Sequence, residues 1–133
     1  MDLAQFDLIE AAERGVDVDI INPMNDELLE DDDGKVVSIK ILGKDARKWQ
    51  QTAKKIQARN ANKYRGKDVP PSQLEKDLIE IAAECTISWS NIDFNDSKLP
   101  CNTSNALMLY QKRSWIAEQV LAKASDRANY KEK

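Results

Sequence analysis

VDVDIINPMNDELLEDDDGKVVSIKILG, residues 16–43, opens on strict alternation and closes on a second apolar run. Val16, Val18 and Ile20 alternate with Asp17 and Asp19, the period-two pattern of a strand with one face in a core and the other in water. KVVSIKILG reads as a second strand, and the two pair as a hairpin. Between them stand six acids, from Asp26 to Asp33, and a turn glycine, Gly34. The rest of the chain carries helical spacing. The expected fold is therefore α+β and mainly α-helical, a small β-hairpin followed by a three-helix unit.

Upstream, Leu3, Phe6, Ile9 and Ala12 are spaced like a short amphipathic helix that stops at Gly15. Downstream, at about 100° per residue, Ala46, Trp49, Ala53, Ile56, Asn60 and Tyr64 share one arc of a helix. The consecutive prolines Pro70 and Pro71 end it. Ser72 and Glu75 have the spacing of a capping box, opening a helix with Leu74, Leu78, Ile81, Ala82, Cys85 and Trp89 on its buried face. Asn102 or Thr103 caps the last helix, which runs to about Arg127 behind Leu107, Leu109, Tyr110, Ile116, Ala117, Val120, Leu121 and Ala124. The expected organisation is one domain over residues 1–133: a short helix at 1–15, the hairpin at 16–43 and the helical unit at 44–130.

At 133 residues the chain is long enough for one substantial core. Its net charge of −3 makes it no polyelectrolyte. No run approaches the roughly 18 apolar residues that span a bilayer, and the first residues lack a basic leader, so neither a membrane location nor secretion is expected. There is no histidine, which removes the commonest general base and metal ligand. Cys85 and Cys101 lie sixteen positions apart, fit no metal or redox spacing, and read as reduced packing residues. The acidic run fails as a calcium loop: Leu29 and Lys40 stand where a ligand and the bidentate glutamate are needed. No catalytic, cofactor-binding or metal-binding residue is expected.

Partner-binding candidates are of three kinds. Around Lys54, Lys55 and Arg59, nine cations stand against one acid between Lys44 and Lys67. That face reads as a nucleic-acid contact, a dock for an acidic protein surface, or a solvated face covering apolar surface with its stems. The stacking aromatics of single-strand binders are missing, so nucleic acid is the weaker reading. Asp31, Asp32 and Asp33 supply the opposite sign, and together the two suit an assembly whose self-association weakens with salt. Met108 and Trp115, outside the main apolar arc, form either an interface pair or a patch covered by Phe94 and Leu99. Those two belong to the Asn- and Ser-rich connector WSNIDFNDSKLPCNTSNALMLY, residues 89–110, read as pinned between helices rather than catalytic.

In order and wording, ERGVDVDIINPMNDEL, VSIKILGKDARKW and ISWSNIDFNDSKLPCNTSNALMLYQKRSWIAEQVLAKASDRANY resemble the tail assembly chaperones of long-tailed (lambdoid siphophage) bacteriophages. The likeness runs from about Gly15 to Tyr130, strongest at Trp89–Pro100 and SDRANY. It implies a non-enzymatic protein of the host cytoplasm, absent from the mature virion, that binds and solubilises the tape measure protein until the tail tube protein polymerises around it. It also implies self-association and a frameshift-extended form of the same chain as a partner. The alternatives are a small nucleic-acid-binding accessory protein and a structural head–tail or tail-completion subunit.

Overall fold

The computed structural model describes residues 1–131. Strands β1 (Val16–Asp19) and β2 (Ser38–Ile41) pair antiparallel, with Val16 opposite Ile41 and Val18 opposite Ile39. This register puts four aliphatic side chains on one face, each at most 1% exposed. Asp17, Asp19 and Lys40 lie on the other, where Asp17 stands opposite Lys40. A third strand, β3 (Thr86–Ser90), occupies the far edge of β2 and pairs antiparallel with it, giving the order β1-β2-β3.

Helices α1 (Leu8–Glu13), α2 (Arg47–Tyr64), α3 (Pro71–Cys85), α4 (Thr103–Lys112) and α5 (Ser114–Ser125) complete the main architecture. Helix α5 packs on β1 and β2, α4 lies against α5 and α3, and α2 lies against α3. A two-stranded ribbon, β4 (Asp93–Phe94) and β5 (Ser97–Lys98), lies between β3 and α4. The α+β, mainly helical class holds. The stripe read on α2 is also found: Ala46, Trp49, Ile56 and Asn60 are buried, with Ala53 and Tyr64 half-buried.

Five details depart from the sequence reading. Trp89 is not on α3, because the chain leaves the helix after Cys85 and enters β3 with no loop between. Cys85 and Trp89 sit four apart, which fits a helix, but the β-branched pair Thr86–Ile87 and the open edge of β2 favour a strand. The switch is fixed by Thr86 Oγ1, which donates to the Ala82 carbonyl (2.7 Å) and lies 2.7 Å from the hydroxyl of fully buried Tyr110. Burial pushes that phenol up to about 12.

The last helix is broken at Arg113 (φ −129, ψ 68), so four helices rather than three follow the hairpin. The bend lets α4 pack on α3 while α5 packs on β1 and β2. Leu74 and Leu78 are half exposed, at 50% and 49%, because Asp77 takes the buried position between them. The expected capping box is not made: Pro70 is the N-cap, Pro71 presets the first turn, and Ser72 is already inside the helix. At the start of the chain, Asp7 caps a new helix by accepting from Glu10 N–H. Leu3, Phe6 and Ile9 are left exposed and only Ala12 is buried. Asn102 caps α4 as read, accepting from Asn105 N–H at 2.8 Å.

Two side-chain devices close the sheet and the chain. The Gln119 carboxamide on α5 accepts from Ile21 N–H and donates to Ile21 C=O, both at 2.8 Å, just past the end of β1. Beyond α5, Arg127 grips Asp45 with two bonds of 2.9 Å, and Tyr130 O–H donates to the same carboxylate at 2.8 Å. The Arg127 bonds hold Asp45 below the usual carboxylate value; burial opposes them and the Tyr130 bond adds to them. The Tyr130 ring lies on Gly43, where a Cβ would come within 2.5 Å of a ring carbon. Gly43→Ala is therefore expected to cost about 1–3 kcal/mol, read as a drop of several degrees in the thermal melt. Combined with Tyr130→Ala, most of that cost should disappear. A wild-type melt for Gly43→Ala alone would rule out the clash.

Candidate functional site

The acidic segment is not the tip of a plain hairpin. Leu29 N–H donates to Ile20 C=O (2.7 Å), Val37 N–H to Leu29 C=O (2.8 Å) and Ile20 N–H to Val37 C=O (2.9 Å), so the segment folds into two turns joined at Leu29. The second turn is built by Asp31, whose Oδ1 accepts from Asp33 N–H and Lys35 N–H at 2.9 and 2.8 Å. Gly34 completes it at φ +78, the left-handed region that suits glycine. Asp31 is thus a turn-former. Asp32 and Asp33 project beside it, exposed.

The connector supplies a facing wall. Asn91, at φ +65, sends Nδ2 to the Val36 carbonyl (2.9 Å), tying the wall to the end of β2. Asn95 and Asp96, at φ 53 and 66, make the paired left-handed turn of a two-residue hairpin between β4 and β5. Trp89 Nε1 donates to the Leu99 carbonyl at 2.8 Å and pins the far end. The asparagines of the connector therefore turn and tether the chain, as a pinned connector requires.

Between the two walls lies an open groove of about 350 Å³. Its floor is apolar, with Leu29, Val37, Ile92, Leu109, Trp115 and Ile116. Its rim carries Glu30, Asp31, Asp32 and Asp93 against one cation, Arg113. Phe94 closes one end, with Lys112 and Arg113 over its ring at 5.6 and 6.0 Å from the centroid.

Of the candidate residues, the structure brings Trp115, Asp31 and Asp32 to this groove, with Asp33 next to its rim. Phe94 reaches the same groove as Trp115 but leaves it open, while Leu99 packs on the core. Met108 is half-buried on α4 and outside the groove; the break at Arg113 removes the common stripe that a seven-residue spacing implied. Lys54 and Lys55 are exposed on α2 with no hydrogen bond or ion pair among the described residues.

Arg59 is engaged within the fold, bonding Asp77 Oδ1 (3.2 Å) and Glu80 (3.1 Å). Asp77 is only 6% exposed and also accepts from Asn60 Nδ2 and Gln73 Nε2, each at 2.8 Å. Burial pushes this carboxyl up, but the Asn60 and Gln73 hydrogen bonds and the Arg59 charge together hold it below its ordinary value. A nucleic-acid face on α2 would have to do without Arg59.

Sequence reasoning missed Leu29, Ile92, Asp93 and Arg113 as site residues. The one available signal was the recurrence of Asn and Asp where left-handed turns are needed. Burial pushes the Cys85 thiol up to about 11 and raises Cys101 as well, disfavouring the thiolate at both. Among the described residues no group of three His, Cys, Asp or Glu is placed to hold a metal ion, and no helix is long and apolar enough to cross a membrane. No protein-family model, curated protein or solved structure matches this chain.

Arg59→Ala is expected to lower the melting temperature by several degrees, whereas Lys54→Ala and Lys55→Ala should leave it at the wild-type value. Equal melts for all three would return Arg59 to the free basic face. Because the folded-state value of Asp77 lies below the unfolded value of about 3.9, its contribution is present above that pH and lost as pH falls through the folded-state value. Acid titration of stability should therefore show a shallower loss below about pH 4 in Asp77→Asn than in wild type.

Proposed function

We propose that this chain is a non-enzymatic tail assembly chaperone of the long-tailed bacteriophage type, which binds the tape measure protein and keeps it soluble during tail morphogenesis. The observation that carries this reading is the groove at Trp115. It is open, it has an apolar floor, and along its acidic wall the amides of Leu29, Asp31 and Val37 are already bonded within the fold. Such a site takes side chains from a partner whose own backbone is satisfied, and a long helical client offers them repeatedly.

The sequence stretches that resemble tail assembly chaperones include one wall of the groove and much of its floor, while the acidic wall from Leu29 to Asp32 lies between them. Residues 89–100 form its connector wall, and the last resembling stretch also includes Arg113, Trp115 and Ile116. Many such contacts, each modest, suit a protein that must coat a client and later release it to the tail tube protein. Self-association, and pairing with a frameshift-extended form of the same chain, belong to the same proposal.

Co-expression with the tape measure protein of the same genome tests it. The wild-type chain should move the tape measure protein into the soluble fraction and co-purify with it. Trp115→Ala should lose most of that effect while its circular dichroism stays near wild type. A tape measure protein that remains insoluble and unbound beside abundant wild-type chain rules the reading out.

A further inference from the structure

The groove at Trp115 has a chemistry that narrows its occupant. We propose that it is a docking site for an amphipathic α-helix that carries lysine or arginine next to its apolar anchor residues. The proposal rests on the chaperone reading only for which protein supplies the helix; the preference itself follows from the geometry.

Three observations lead there. The floor is deep in hydrocarbon: Val37, Leu109 and Ile116 are nearly fully buried beneath it, and Trp115 and Leu29 are half-buried at its surface. An anchor side chain placed there would bury apolar area on both partners. The rim bears Glu30, Asp31, Asp32 and Asp93 against Arg113, with Lys112 over the Phe94 ring at one end. Glu30, Asp32 and Asp93 form no ion pair within the fold among the described residues. Their field therefore favours a cationic partner and opposes an acidic one.

The third observation concerns the backbone. Leu29 N–H, Asp31 N–H and Val37 N–H all donate internally, and the Val36 carbonyl already accepts from Asn91. An extended peptide could not ladder onto these groups, and its amides over the apolar floor would lie unpaired. A helix brings its backbone already satisfied.

The test is a binding titration of the full chain with synthetic amphipathic helices of about 18 residues, roughly five turns. One carries an apolar stripe flanked by lysines and the other the same stripe flanked by glutamates. The lysine helix is expected to bind the wild-type chain about tenfold more tightly, a preference that shrinks with salt. In the double variant Glu30→Lys/Asp32→Lys, built on two exposed side chains, the preference should reverse. Trp115→Ala should weaken both helices, by about thirtyfold for the lysine form.

Equal binding of the two helices, binding of neither, or an unchanged preference in the double variant overturns the proposal. Tighter binding of a proline-broken, extended version of the lysine peptide overturns it too. So does dimerisation of the chain that is lost in the double variant, which would assign the groove to a second copy. The two readings fail separately. A lysine preference that reverses in the double variant upholds the docking site even if no tape measure protein is retained. Full retention of that protein by the double variant keeps the chaperone and discards the docking site.

Discussion

Strand β2 is four residues long and has a neighbour on both edges. Its register fixes which side of the sheet is oily, since a slip of one residue would turn Ile39 and Ile41 to water and Ser38 and Lys40 into the core. With the register set, helix α5 has one face to cover. The bend at Arg113 then becomes the way to cover it while α4 stays on α3. The groove inherits its position from the same pairing: one wall is the segment that leaves β1 and returns into β2, and the other follows directly from β3.

What the sequence made legible was whatever could be read within one element. The alternation of Val16, Val18 and Ile20 and the arc from Ala46 to Tyr64 each reflect a single period against a single face, and both survive folding. What it hid was decided between elements. Cys85 and Trp89 fit helical spacing until an unpaired strand edge competes for the chain. Leu74 and Leu78 look like core residues until Asp77 finds Asn60, Gln73 and Arg59. The groove is of the second kind, for Leu29, Ile92 and Trp115 are remote in sequence and no local pattern announces that they meet. Asp31 and Asp32 were visible as charge, but not as the rim of an apolar floor.

Charge in this protein divides by use. Asp45, Asp77, Arg59 and Arg127 hold elements together, each paired within the fold. Asp31 spends one carboxylate oxygen on its own turn. Lys54 and Lys55 on α2 and the carboxylates around the groove form no ion pair among the described residues. A net charge of −3 conceals this separation, because these two sets are of opposite sign and sit on different elements. Only uncommitted charges steer partners, and they do so at the cost of no internal bond.

Gln119 has a wider meaning than its two hydrogen bonds. Its carboxamide presents one donor and one acceptor, as a peptide unit does, and offers both to Ile21. It thereby caps the sheet with an imitation of one more strand, where an incoming chain could otherwise have started to pair. An open sheet edge is exposed to runaway β-stacking with other chains. A single amide on a neighbouring helix closes that route at Ile21 without a proline, a bulge or an extra charge.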